Sequence, residues 1–208
     1  MNRCVIIAGG EINDYGKLKQ VISPDDYVIC ADSGLVHADN MGIQPDLIIG
    51  DFDSYKGDIS SIEKIVLPEK KDDTDTHYAA KYAADMGFWN VLLCGVWGSR
   101  PDHSLAAVCT LKFLCDKNIK AQILADKFSM WMVNRSFEIA KQEGRYISIL
   151  AYGGDALGVT LEGFEYPLSD AVVSCVHPIG ISNRIISNVA KISVRQGCLL
   201  VISVDDRL

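Results

Sequence analysis

Short apolar runs alternate with helical segments through the first 126 residues, and then the alternation stops. This change of rhythm constrains the fold more than any other feature. In the first part, apolar runs stand at 4–8, 27–31, 46–49, 64–67, 91–94 and 121–125. Several are rich in Val and Ile, lie next to Gly, Pro or Asp, and lack polar alternation. That is the pattern of parallel strands buried on both faces. Residues 76–86 carry Ala79, Ala80, Ala83 and Ala84 on a helical period, with Gly87 as the stop. Residues 104–116 carry Leu105, Val108, Leu111 and Leu114 at helical spacing. Strands alternating with helices predict an open, mostly parallel α/β sheet. Beyond 126, strand-like runs at 128–133, 136–140, 146–151, 158–161, 171–176, 191–194 and 199–204 follow one another with turn-rich pieces between. They predict a β-sandwich. The expected fold is therefore α/β followed by all-β, divided as 1–126 and 127–208, within the size range of two small domains.

Charge follows the same division. Residues 1–126 hold 19 acidic and 12 basic residues, the whole of the net −7, while 127–208 hold 8 of each. No basic footprint is offered to a phosphate backbone, so no nucleic-acid partner is expected. Within 25–75 there are 13 acidic residues, 11 of them Asp, against 4 basic ones. Asp is a poor helix and strand former but a favoured hard-oxygen ligand for Mg²⁺. The cluster is either a solvated loop surface or a metal site. The seven cysteines are odd in number and contain no CxxC pair. They read as small buried hydrophobes in a reducing cytoplasm, and a zinc site is disfavoured. The apolar stretch at the N-terminus is too short for a signal peptide, and no run has the length of a membrane span, so no membrane partner is expected.

Three carboxylate-bearing points fall just after predicted strands: Asp32 in CADSG, Asp51 and Asp53 in IIGDFDS, and Asp75 in KKDDTDT. Ligands of open α/β sheets bind outside the carboxyl ends of the strands, so three such segments describe a site geometry. In an extended segment Asp51 and Asp53 project to one side, about 6.5–7 Å apart. Phe52 points the other way as an anchor, and Gly50 permits close approach. Clustered carboxylates repel unless a cation neutralises them, and Mg²⁺ usually combines one or two carboxylates with phosphates and water. Each Asp also has a plainer reading, since Asp32, Asp73 and Asp75 could each cap a helix.

A second constellation, GVWGSRPDHSLA, follows the run at 91–94. Arg100 supplies a planar fork suited to phosphate, and Asp102 and Ser104 stand at a helix start. Asp102 paired with Arg100 at the surface is the plainer alternative. His103 reads as a structural histidine, and His37, His77 and His177 carry no assignment. The Gly9–Gly10 turn suits a nucleotide-binding edge but matches neither GxGxxG nor GxxxxGK[ST].

Taken in order, CADSG (30–34), QPDLIIGDFDS (44–54), KDDTD (71–75), GSRPDHSLA (98–106) and GISN (180–183) resemble the thiamine pyrophosphokinase family over nearly the whole chain. The resemblance implies an α/β nucleotide-binding domain, a β-sandwich that binds thiamine, and a homodimer with thiamine held between subunits. It implies transfer of a pyrophosphoryl group from ATP, the co-substrate, to the thiamine hydroxyl, giving thiamine diphosphate and AMP. Asp32, Asp51, Asp53 and Asp75 would then surround Mg²⁺ and the triphosphate, with Asp51, Asp53, Asp75 and Arg100 as the catalytic set. Gly34, Thr74, Gly98 and Asp102 join Asp32 and Arg100 around ATP. Tyr166, Ser182 and Asn183 match the thiamine side. Ser33, Ser99, Pro101, Ala107 and Arg184 depart from the usual pattern. The alternatives are a pterin pyrophosphokinase or another Mg-dependent nucleotide enzyme on the same scaffold, and a non-catalytic ligand-binding module.

Overall fold

A computed structural model describes residues 3–51, 59–68 and 72–206. The chain divides into two compact units, Met1–Asp126 and Lys127–Leu208. In the first unit the chain runs β1 (Cys4–Ile7), α1 (Tyr15–Val21), β2 (Tyr27–Ala31), α2 (Gly34–Met41), β3 (Leu47–Gly50), β4 (Glu63–Val66), α3 (Asp75–Asp85), β5 (Asn90–Cys94), α4 (Pro101–Asp116) and β6 (Lys120–Leu124). Its strands lie in the order β4-β3-β2-β1-β5-β6, and every pairing is parallel. The order reverses direction between β1 and β5. That is the switch point at which the two flanking loops part and leave a crevice.

β1, β3 and the body of β2 and β5 are buried, as their unbroken Val, Ile and Leu runs require. One core gathers Val5, Ile7, Val28, Cys30, Ile48, Leu92 and Cys94 under Leu18, Leu35 and Ala38 of α1 and α2. β4 departs from the expectation of burial on both faces: Glu63, Lys64 and Val66 are exposed, because this strand forms the sheet's edge. α1 and α2 were not assigned from the sequence, being only seven and eight residues long. Met86 caps α3 and Gly87 turns away at φ +81°, as the helix stop predicts. Among the described residues, none of the seven cysteines is in a disulfide. Burial pushes the thiols of Cys4, Cys30 and Cys94 up to about 12, so all three are inert core residues. No described helix is long and apolar enough to cross a membrane.

The second unit contains β7 (Phe128–Val133), β8 (Ser136–Ala140), β9 (Arg145–Ala151), β10 (Ala156–Glu162), β11 (Leu168–Val173), β12 (Val189–Ser193) and β13 (Leu199–Asp205). Two antiparallel layers form, β7-β13-β9 and β11-β10-β12-β8. Their inward residues meet in one core: Val133, Ile147, Ile149, Leu199 and Val201 from the first layer, Ile139, Val159, Leu161, Ala190 and Ile192 from the second. This is a sandwich-like packing of two sheets.

Candidate active site

The carboxyl ends of β1, β2, β3 and β5 open on a cleft of about 530 Å³ in the first unit. Asp32, Asp51 and Asp75 all line it, together with Thr74, Gly98 and Arg100. Each arrives by a separate local device. Asp32 follows β2 directly, and its backbone N–H donates to the Ile49 carbonyl (2.8 Å), which joins the end of β2 to the end of β3. Asp32 sits at φ +50°, a left-handed conformation that Asp tolerates better than most residues. It does not cap α2: Ser33 occupies that position. Asp51 is the residue after β3, and the Gly50 carbonyl before it accepts from Leu67 N–H (3.0 Å) beyond β4. Asp75 is the first residue of α3, whose cap is Thr74 rather than Asp73 or Asp75, with Thr74 Oγ1 accepting from His77 N–H (3.1 Å). Asp53 and Phe52 lie outside the described residues.

Asp73 also lines the cleft and is bound to Lys81 Nζ (2.8 Å). That hydrogen bond holds its carboxyl below the usual carboxylate range. Gly34 is buried at the start of α2, where a Cβ would collide with the Ile7 carbonyl. It lets α2 settle on the end of β1, and it does not line the cleft itself.

The opposite wall comes from the β5–α4 loop. Arg100 is exposed and forms a two-pronged pair with Asp102, Nε to Oδ1 at 3.0 Å and Nη2 to Oδ2 at 2.6 Å. The guanidinium holds the Asp102 carboxyl well below its ordinary range. Arg100 reaches the cleft while Asp102 stays outside its lining, so Asp102 orients Arg100. The buried Ser104 hydroxyl donates to the Arg100 carbonyl (3.1 Å) and accepts from Gly98 N–H (3.3 Å), closing the loop. Pro101 takes the first position of α4, where its missing N–H costs nothing. Ser33 lies where a Cβ on Gly9 would stand, and Ala107 forms part of the cleft wall.

The Gly9–Gly10 turn lines the cleft, and two of its amides are engaged within the protein. The Gly10 amide donates to the Gly95 carbonyl (2.5 Å) and the Glu11 amide to the Trp97 carbonyl (2.7 Å), so both donors are spent within the protein. The turn is a wall built by close backbone approach. Glu11, Trp97 and His103 line the cleft without having been singled out as site residues. For Glu11 the signal was present, a charged residue directly after a strand-end glycine pair.

In the second unit, Tyr166 is 64% exposed and not core. Its N–H donates to Asn183 Oδ1 (3.0 Å), and Asn183 Nδ2 donates back to its carbonyl (2.8 Å). Asn183 is buried, and its Oδ1 also accepts from Arg184 N–H (2.9 Å). Its amide thus fixes the Tyr166 loop, and the outward ring of Tyr166 is the group it displays. Ser182 is exposed at φ +60°, with its N–H donating to Ser148 Oγ (3.1 Å). Arg184 stacks 4.1 Å from the Tyr146 ring centre and pairs with Asp206 (3.3 Å), which accounts for a cation at this position.

Residues 18–123 match the family model for the catalytic domain of thiamin pyrophosphokinase, and residues 135–199 match its vitamin B1 binding domain. A thiamine pyrophosphokinase from Bacillus subtilis is 30% identical over 97% of this chain and 98% of its own length. The crystal structure of thiamine pyrophosphokinase from the same organism superposes with a TM-score of 0.91 at 27% identity, covering 99% of this chain and all of the other. A thiamin pyrophosphokinase structure from Geobacillus thermodenitrificans gives 0.88 at 23% identity, covering 99% and 98%, and bears on the fold alone.

Proposed function

The chain belongs to the thiamine pyrophosphokinase family, and on that premise we propose how its residues share the reaction. Its activity is that of a thiamine diphosphokinase. The thiamine hydroxyl attacks the β-phosphorus of ATP, a bond forms from that oxygen to phosphorus, the α–β bridge breaks, and AMP leaves. The observation that carries this reading is the convergence of Asp32, Asp51, Asp75 and Arg100 on one cleft at the sheet's carboxyl edge.

Phosphoryl transfer asks mainly for positioning and charge stabilisation. Arg100, held in plane by Asp102, meets phosphate oxygens with a fork of donors. The carboxylates offer an acceptor for the hydroxyl proton. Their hard-oxygen donor set fits Mg²⁺. Mg²⁺ usually combines one or two carboxylates with phosphates and water, which suits carboxylates that reach the cleft from separate segments. Asp32, Asp51, Asp53 and Asp75 would hold it, and the bound ion would supply neutralising charge to the triphosphate.

Lys127–Leu208 supplies the thiamine side, with the exposed Tyr166 ring available to stack on the cationic substrate. Ser182 and Asn183 complete that side, Asn183 by holding the Tyr166 loop. We assign the enzyme a homodimeric state with thiamine between subunits. Seven cysteines without a disulfide fit a reducing cytoplasm.

Incubation with Mg-ATP and thiamine tests the assignment. Thiamine diphosphate and AMP are the expected products. ADP as product, turnover only with a pterin, or binding without turnover would sink it. Asp51→Asn and Asp53→Asn are each expected to abolish turnover and to leave the far-UV circular dichroism unchanged. Near-normal turnover in both would refute the metal assignment.

A further inference from the structure

His37 lies on α2 and is absent from the cleft lining, as are Tyr15 and Asn40. These three residues nevertheless form a continuous chain of hydrogen bonds that ends on a residue lining the cleft. Asn40 Nδ2 donates to Tyr15 Oη (3.1 Å), Tyr15 Oη meets His37 Nδ1 (2.8 Å), and His37 Nε2 meets the Gly10 carbonyl (2.7 Å). A carbonyl only accepts, so Nε2 carries the ring proton. Nδ1 of the neutral ring is then an acceptor, and the Tyr15 hydroxyl donates to it. The Asn40 amide fills a lone pair on the same hydroxyl. In the neutral ring, the Gly10 carbonyl and the Tyr15 hydroxyl both favour the tautomer with its proton on Nε2.

The chain adds a hold at the Gly10 carbonyl to a turn whose ends are tied at the Ala8 amide to Cys94 and at Asn13 and Asp14 to Asp126. Residues 8–14 between β1 and α1 are irregular. Their inner side is tied to the β5 loop through the Gly10 and Glu11 amides. The outward carbonyl of Gly10 has His37 as its partner. Tyr15 heads α1, and Gly34 lets α2 press against the end of β1, so the two helices bracket the turn. The Tyr15 and His37 rings pack 5.7 Å apart, centre to centre.

We propose that His37 is a positioning residue for the nucleotide. Acting through the Gly10 carbonyl, it sets the wall formed by Gly9, Gly10 and Glu11 in the cleft, and Tyr15 and Asn40 hold its ring in the required tautomer and orientation. The inference rests on the reading that this cleft takes ATP. It predicts an effect on ATP and none on thiamine, which distinguishes it from general support of the fold. A role in stability alone would reduce the amount of active enzyme and leave both KM values where they are.

Steady-state kinetics with each substrate varied in turn provides the test. His37→Ala is expected to raise the ATP KM about tenfold, with kcat within about threefold and the thiamine KM unchanged. His37→Gln restores an N–H near the position of Nε2 and is expected to return the ATP KM to within about threefold of the parent. Tyr15→Phe removes only the middle link and is expected to raise it by about three- to fivefold. An unchanged ATP KM in folded His37→Ala, a fall in kcat alone, or an equal rise in the thiamine KM overturns the proposal. Should His37→Ala fail to fold, Tyr15→Phe decides: an unchanged ATP KM overturns, a selective rise supports. A parent enzyme that makes no thiamine diphosphate would instead fail the functional reading itself.

Discussion

Gly34 shows how one missing methyl group positions a catalytic edge. A Cβ there would stand well inside contact distance of the Ile7 carbonyl, a backbone atom in a fully buried strand of the sheet. Neither partner can rotate away. Gly34→Ala is expected to cost about 3 kcal/mol or more in urea unfolding, at the severe end for a single added methyl. It is also expected to raise the ATP KM in whatever fraction folds, because α2 carries His37 and follows Asp32 directly. The sequence showed that residues 30–34 form a motif; strand-end logic brought Asp32, Asp51 and Asp75 to one edge, and the resemblance joined Arg100 to them. It did not show why position 34 excludes a side chain. That collision is between residues 27 positions apart in the chain. Asn183 teaches the same lesson: the motif marked it, yet its amide is spent on the Tyr166 backbone. The chain Asn40–Tyr15–His37–Gly10 was invisible for the same reason, since no local pattern announces a histidine whose partners come from two other segments.

Elements that bury a long apolar run were legible, and those defined by their ends were not. β2 and β7 are predicted to the residue, since a run of Val, Ile or Met between turn residues leaves little choice. α1 spans only seven residues and buries Leu18 alone, so no period can develop. What stabilises it is its beginning. Asp14 Oδ1 caps Lys17 N–H at 2.8 Å. Asp126, beyond the end of β6, accepts from Asn13 N–H (2.9 Å), Asn13 Nδ2 (2.8 Å) and Asp14 N–H (3.3 Å), while its carbonyl accepts from Lys17 Nζ (2.8 Å). Burial raises the Asp126 pKa, but the hydrogen bonds from Asn13 and Asp14 outweigh it and the net direction is down. A carboxyl with a lower pKa folded than unfolded contributes stability above its unfolded value, near 4, and loses it as pH falls toward the folded value. Asp126→Asn is expected to lower stability at pH 7 by about 1 kcal/mol, since the amide retains only part of the acceptor capacity. Between pH 5 and pH 3 the variant is expected to lose less stability than the parent, measured by urea unfolding across that range. An equal loss in both would show that Asp126 does not titrate with folding.

At the scale of the whole molecule, the asymmetry of charge and the division into units coincide. The net −7 belongs to residues 1–126, and the second unit is balanced. Acidity is therefore a property of the unit that carries the carboxylates, where it would favour the cation and the cationic substrate proposed above. The aromatic side chain assigned to thiamine, Tyr166, belongs to the other unit. If thiamine lies between subunits, a working site needs the first unit of one protomer and the second unit of its partner. Complementation separates this arrangement from a site built within one chain. Asp51→Asn inactivates the first unit, and Tyr166→Ala, assayed at a thiamine concentration where it is silent, inactivates the second. Unfolding and refolding the two variants together at equal amounts makes half of the dimers mixed. Each mixed dimer then contains one site with both lesions and one with neither, so about a quarter of parental activity is expected to return. A site confined to one chain places one lesion in every site, and the mixture stays as inactive as its parts. Mixing without unfolding adds a control, since activity then appears only as fast as subunits exchange.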